Sequence, residues 1–222
     1  MSAATLAGQR LLISAGPTYE DIDPVRFIGN RSSGKMGFAL AAAAARRGAE
    51  VVLVAGPVHL QTPAGVHRID VRSAAQLHAA VLAALPADAY LGAAAVADWT
   101  PRTVAAHKLK KRAGVDTLTL ELVRTADVLA AVAAHPQRPP LVLGFAAETD
   151  ELEANARAKL LAKRLDLIAA NRVGVAGSGF ESDDNALTVY GRDGFARALG
   201  PAPKTQLADA LLDLLATRLA RP

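Results

Sequence analysis

The sequence predicts an α/β protein: a Rossmann-like, mostly parallel sheet with helices on both faces and a small strand-rich flank. Short apolar runs with little polar alternation recur at Arg10–Ala15, Glu50–Ala55, 89–94, 141–144 and 165–170, as expected of strands buried on both faces. Helical patterns separate them, and strands alternating with helices imply parallel pairing. At 222 residues the chain suits a single domain, 1–222, long enough to bury a sizeable core.

The elements follow in order. The run Arg10–Ala15 ends in Gly16-Pro17-Thr18, a buried first strand and its turn. A polar stretch, 18–26, carries Glu20, Asp21, Asp23 and Pro24, and is too long for a mere connection. Next comes Gly29-Asn30-Arg31-Ser32-Ser33-Gly34-Lys35-Met36-Gly37, leading into an alanine-rich helix over 38–47 that Gly48 closes. The strand Glu50–Ala55 is Val/Leu-rich and ends in Gly56-Pro57. A third strand is expected over 66–71, then a helix over 74–85 capped by Ser73.

The strand over 89–94 delivers Ala95-Val96-Ala97-Asp98-Trp99 at its carboxyl end. Residues 100–117 lack strong periodicity and hold Lys108, Lys110, Lys111 and Arg112, whereas 117–123 alternates as a half-exposed strand. Asp127 begins the helix Val128–Ala134, and Pro139-Pro140 ends the connection to the strand over 141–144. A helix over 151–164 and a strand over 165–170 ending at Asn171 come next. A Gly/Ser loop over 174–184, a strand over 186–190, a turn at 191–194 and the amphipathic helix Lys204–Leu219 complete the chain.

Composition excludes several functions. No apolar run reaches the roughly 20 residues needed to span a bilayer. Met1 to Gln9 lack the charged-then-apolar order of a signal peptide, so a cytoplasmic protein is expected. With no cysteine there is no disulfide framework, thiolate metal site or cysteine nucleophile. The net charge of +4 is dispersed, and only His107-Lys108-Leu109-Lys110-Lys111-Arg112 is dense. At 4% aromatic residues the chain lacks stacking partners for nucleic acid, so a small polyanion suits that segment better.

The stretch 29–37 is open to two readings. Ser32 or Ser33 simply caps the helix, or the hydroxyls, glycines and unpaired first-turn N–H groups seat a phosphate. It is not a magnesium-nucleotide loop of the G-x-x-x-x-G-K-[ST] type: Met36 stands where a hard oxygen ligand is required, and the preceding strand is too distant. Asp98, beyond a strand's carboxyl end, either caps a turn or stands where ligands bind in open α/β sheets. The basic segment is a solvated loop or a lid. Lys159 and Lys163, at i and i+4, are two solvated lysines or a pair that brackets an anion. No G-x-G-x-x-G follows the first strand, which argues against a nicotinamide dehydrogenase.

Taken together, the chain resembles the phosphopantothenoylcysteine synthetase family, the ligases of coenzyme A biosynthesis. The resemblance rests on Ser14-Ala15-Gly16-Pro17-Thr18, Asp23-Pro24-Val25-Arg26, Asn30 through Gly37, Ala94 through Asp98, Lys108-Leu109-Lys110-Lys111, Gly144 through Thr149, Lys159 with Lys163, and Asp184-Asn185-Ala186. It implies a ligase joining 4'-phosphopantothenate to L-cysteine through an acyl-cytidylate, with CTP as co-substrate, Mg2+ as cofactor, and CMP and pyrophosphate as products. By the same resemblance Asn30 contacts the acyl carbonyl and Lys108 is needed to form the acyl-nucleotide. Gly92, Ala93, Ala94, Asp98, Ala126, Asp127, Val128, Leu129, Phe145, Lys159 and Lys163 fall at nucleotide positions, Asp98 also serving for metal, and Ser32, Ser33 and Gly34 are assigned to phosphate. Two departures stand out: Trp99 where Tyr or Phe is common, and Thr125-Ala126-Asp127 in place of Asn-Pro-Asp.

Many bacterial relatives carry an N-terminal flavoprotein decarboxylase in the same polypeptide, so this chain is expected to be an excised ligase domain or a separate enzyme that binds no flavin by itself. A homodimer is also implied, with the strands over 117–123 and 186–190 as candidate pairing edges.

Overall fold

The structure, a computed structural model, describes residues 5–111, 113–114, 116–172 and 182–220. Its strands are β1 (Arg10–Ala15), β2 (Tyr19–Asp21), β3 (Phe27–Gly29), β4 (Glu50–Ala55), β5 (Val66–Asp70), β6 (Ala89–Gly92), β7 (Trp99–Pro101), β8 (Leu122–Arg124), β9 (Leu141–Glu148), β10 (Leu167–Arg172), β11 (Asp184–Gly191) and β12 (Ala196–Pro203). The helices are α1 (Lys35–Arg46), α2 (Ala74–Ala83), α3 (Val128–Ala134), α4 (Leu152–Ala162) and α5 (Lys204–Leu219).

Eight strands form one sheet in the order β12-β11-β10-β9-β6-β1-β4-β5. The pairings from β10 through β5 are all parallel, and β11 and β12 extend the other edge antiparallel. Alternate residues of the buried strands serve two cores. Leu11, Ile13 and Ala15 face the layer containing Phe38 and Leu40 of α1 and Leu207, Leu211 and Leu215 of α5. Leu12 faces the layer containing Leu77 and Val81 of α2, Val132 of α3 and Leu160 of α4. Helix α1 sits very close to β1: a Cβ on Gly37 would lie 2.4 Å from the Cβ of Ala15, so only glycine fits this crossing. The sheet is therefore the expected Rossmann-like one, covered on both faces.

This topology fixes where a ligand fits. From β1 the chain winds outward through β4 and β5, then returns to the opposite side of β1 with β6. The crevice beyond the carboxyl ends of β1 and β6 is thus a switch point, the place where open α/β sheets bind ligands.

Several elements differ from expectation. The polar stretch after β1 folds into a hairpin, β2 with β3, whose turn is tied by Asp23: its Oδ1 accepts from the backbone N–H groups of Val25 and Arg26. Glu20 on this hairpin is buried and accepts from the N–H of Ala74 at 2.8 Å. The strand expected over 117–123 shrinks to β8, because the partner it finds, β7, is only three residues long. Residues 196–203, which contain Gly200-Pro201, become a strand through pairing with β11. That pairing corrects one candidate pairing edge: the stretch 186–190 lies within β11, which pairs with β12 along its length and with β10 over 188–191, so it is an inner strand of the sheet. The Gly/Ser loop over 174–184 and Arg112 lie largely or wholly outside the described residues.

Candidate functional site

A cleft of about 740 Å³ opens at the carboxyl ends of the parallel strands. Its walls collect segments distant in sequence. From the loop before α1 come Asn30, Ser32, Ser33 and Gly34, and from the end of β6 come Gly92, Ala93, Ala94 and Asp98. Ala126, Asp127, Val128 and Leu129 enter with the start of α3, Phe145 with β9, and Lys159 and Lys163 with α4 and its end. Lys35, Thr125, Asn171, Asn185 and Lys204 complete the parts used below.

The loop before α1 is not capped by serine. Gly34 is the N-cap, held at φ 76°, and α1 has no side-chain cap hydrogen bond, which removes the capping reading of Ser32 and Ser33. The positive end of α1 therefore faces the cleft. The Nδ2 of Asn30 donates to the carbonyls of Ala95 (3.1 Å) and Val96 (3.0 Å), which tethers this loop to the segment after β6.

That segment is itself clamped. Gly16 accepts from the N–H of Ala95 at 2.8 Å. Buried Thr18 accepts from the N–H of Ala97 through Oγ1 at 3.0 Å, while the Thr125 hydroxyl donates to the carbonyl of the same residue at 2.6 Å. The N–H of Thr125 in turn donates to the Asp98 carbonyl at 3.0 Å. Two threonine hydroxyls thus hold both backbone groups of Ala97, one residue before Asp98. The Asp98 side chain is exposed and lines the cleft, where it stabilises the ammonium of Lys159 electrostatically rather than capping a turn.

On the opposite wall Lys163 pairs with Asp127 at 2.9 Å, and Asp127 also caps α3 by accepting from the N–H of Ala130. Burial pushes the Asp127 carboxyl upward, but the hydrogen bonds from Lys163 and Ala130 outweigh it and hold the group below its ordinary value. Lys159 donates to the Phe145 carbonyl at 3.1 Å. Burial, reinforced by the neighbouring Lys163, lowers its affinity for its proton. Two cations on one wall, one of them costly to keep charged, form a site that a polyanion would relieve.

Lys108 stands apart. It is exposed and is not on the cleft wall. Its loop is held at Leu109, whose N–H donates to Asp23 Oδ2 at 3.1 Å and whose carbonyl accepts from Arg26 at 2.8 Å. The N–H of Ala105 adds a bond to the Ile22 carbonyl at 3.0 Å. Arg26, with the N–H groups of Leu109 and Val25, holds the buried Asp23 carboxyl well below the usual carboxylate range. The sequence signal Asp23-Pro24-Val25-Arg26 is therefore a turn that grips the basic loop.

For a metal, the described residues contain no group of three or more His, Cys, Asp or Glu side chains able to hold an ion. The carboxylates on the cleft wall are Asp98 and Asp127, and Lys163 engages the second. Such a donor set fits Mg2+, which commonly uses one or two carboxylates and takes its remaining ligands from phosphate and water.

The family model of the DNA/pantothenate metabolism flavoprotein C-terminal domain matches residues 6–219. The chain belongs to this family. It is 53% identical over 95% of its length to the coenzyme A biosynthesis bifunctional protein CoaBC of Vibrio cholerae, covering 53% of that protein. To the protein of the same name from Escherichia coli it is 50% identical over 94% of its length, covering 52%. It thus spans about half the length of these curated relatives. A crystal structure of the C-terminal domain of a CoaBC protein superposes with a TM-score of 0.82 at 38% identity, covering 98% of both chains.

Asn171, Asn185, Lys204 and the clamping Thr18 and Thr125 were not assigned site roles from sequence. Thr18 and Asn185 lie within motifs that carried the resemblance, and Lys204 opens a helix, where a cation opposes the dipole. No described helix is long and apolar enough to cross a membrane.

Proposed function

We propose that this chain is a CTP-dependent phosphopantothenate-cysteine ligase of coenzyme A biosynthesis, folded as one ligase domain. The observation that carries the reading is the convergence, in one cleft at the sheet's switch point, of the uncapped start of α1, the clamped segment before Asp98 and the cationic wall of Lys159 and Lys163. A carboxylate is a poor acylating agent until its oxygen becomes part of a good leaving group. The carboxylate of 4'-phosphopantothenate attacks the α-phosphorus of CTP, pyrophosphate leaves, and an acyl-cytidylate forms. The cysteine amine then attacks the acyl carbon, loses a proton and expels CMP.

Cationic groups must neutralise the phosphates before an anionic carboxylate can approach. Lys159 and Lys163 serve the nucleotide, and Ser32, Ser33 and Gly34 a phosphate. Asp98 would hold Mg2+ together with phosphate oxygens, the ion supplying further charge neutralisation. Asn30 serves the acyl carbonyl, one of its N–H groups turning from the Ala95 or Val96 carbonyl toward the oxyanion. Lys108 acts in forming the acyl-cytidylate, its loop moving from its present exposed position onto the triphosphate.

We further place the homodimer at the strand-rich flank. Val25, Phe27, Trp99 and Val104 there are exposed apolar side chains that a second copy would cover. A monomer by light scattering would remove the dimer. A flavoprotein decarboxylase, fused or separate, fits as a partner.

Pyrophosphate release from CTP that requires both 4'-phosphopantothenate and magnesium, with amide formation on adding cysteine, is the expected result. No release with any nucleoside triphosphate would leave a binding scaffold instead.

A further inference from the structure

The sheet floor beneath α3 carries a feature that the assigned roles do not explain. Parallel pairing lines up Val54, Ser14, Gly92, Gly144 and Ile168 in one row across β4, β1, β6, β9 and β10. Val54 and Ile168 belong to the layer shared with α2, α3 and α4, so the row as a whole faces that layer. Its middle three positions are small, and Gly92 and Gly144 are direct partners on adjacent strands. Glycine weakens a strand interior and often marks a place where another group approaches closely.

The group that approaches is Leu129, on the first turn of α3. A Cβ on Gly92 would lie 2.7 Å from Leu129 Cδ2, and one on Gly144 would lie 3.3 Å from Leu129 Cδ1. Two further neighbours have no room to yield. A Cβ on Gly92 would also stand 3.3 Å from Tyr90 Cε1, and Tyr90 is buried, its hydroxyl bonded to that of Ser14 at 2.9 Å. A Cβ on Gly144 would stand 2.7 Å from Cδ1 of the fully buried Leu165. Leu129 is half-buried and lines the cleft. Of these three neighbours it is the one with open space beside it, and that space is the cleft.

We propose that the paired glycines form a seat that holds the Leu129 side chain down on the sheet, and that Gly144, which is not on the cleft wall, is a positioning residue for the nucleotide. A methyl group at either glycine turns Leu129 up into the cleft. An apolar side chain suits ribose or base rather than phosphate, so the seat shapes the floor on which the nucleoside rests. That the ligand is a nucleotide rests on the ligase reading.

The test uses Gly144→Ala and Gly92→Ala, each alone and combined with Leu129→Ala. Calorimetry gives affinities for CTP, CMP and inorganic tripolyphosphate, and melting temperatures and steady-state kinetics are measured beside it. Overpacking of this kind should weaken CTP and CMP by about 5- to 100-fold in either single variant, with tripolyphosphate unchanged. The KM for CTP should rise with kcat altered less, since uniform binding is what is lost. In the Leu129→Ala background the same glycine changes should alter CTP affinity less than about twofold, because the displaced side chain is gone. The contact with Leu165 should still lower the melting temperature of Gly144→Ala in both backgrounds. Gly92→Ala, whose shortest contact is the tip of Leu129, keeps the test valid if Gly144→Ala melts early. Equal weakening with and without Leu129, or equal weakening of tripolyphosphate, overturns the proposal. A lowered melting temperature with unchanged CTP and CMP affinities makes the glycines purely structural, which overturns it too and leaves the ligase reading standing. CTP binding that shows the coupling to Leu129, without pyrophosphate release, keeps the seat and removes the ligase; a wild-type chain that binds neither CTP nor CMP removes both.

Discussion

Replacing Thr18 by valine removes a single oxygen from a side chain that is fully buried. That oxygen accepts the N–H of Ala97 at 3.0 Å, and Ala97 is itself 5% exposed, so water cannot replace it without a rearrangement. A buried donor left without a partner costs about 1–3 kcal/mol. For a chain of this size each kcal/mol lowers the melting temperature by roughly 2–4 °C, giving an expected drop of about 2–12 °C. The incoming methyl also sits where a hydrogen-bonded oxygen was, and pushes Ala97 away from β1. The Thr125 hydroxyl still holds the Ala97 carbonyl, so the segment should tilt and shift Asp98 within the cleft. Calorimetric melting and steady-state kinetics check both effects: a lower melting temperature together with a raised KM for CTP, and recovery of both in Thr18→Ser. A Thr18→Val protein that melts within about 1 °C of wild type with unchanged CTP kinetics would refute the idea that this hydroxyl frames the site.

Three further outcomes are expected. Asn30→Asp should consume CTP yet accumulate acyl-cytidylate, since a carboxylate cannot donate to the acyl oxygen; a normal yield of amide in quenched single-turnover reactions contradicts this. Lys108→Gln should stop before the intermediate with CTP binding reduced less than turnover, and wild-type levels of acyl-cytidylate would contradict the closing-loop role. The third concerns Lys159, whose pKa in the free protein lies below the ordinary lysine value. Because the unfolded chain binds its proton more tightly, stability should rise with pH between the folded and unfolded values. A bound triphosphate should raise that pKa, so CTP binding should take up a proton and weaken as pH rises through the window. Calorimetry at a series of pH values below the ordinary lysine range, in buffers of different ionisation enthalpy, reads the uptake, and Lys159→Gln should abolish it.

The local chain was enough for the buried strands and for most helices. A run such as Leu11-Leu12-Ile13 can satisfy its side chains only between two apolar layers, and Ser73 with Gln76 builds a capping box from residues three apart. The motif around Ser32 was legible as a helix start, but capping and phosphate seating stayed open until the structure showed Gly34 as the N-cap, and the close crossing at Gly37 came only with the packing of α1 on Ala15 of β1. What only the tertiary structure decided depends on partners far away in sequence. Residues 117–123 alternate as a strand should, yet a strand needs a neighbour, and the chain supplies one just three residues long; 196–203 lack the pattern and become a strand because β11 is beside them. Likewise Thr18 and Thr125 meet at Ala97, and Lys35 comes near Lys204, only once β1, β6 and α5 are packed. Hydrogen bonds and charge interactions act over a few ångströms, so their pairing is set by how the layers stack and not by how the residues follow one another.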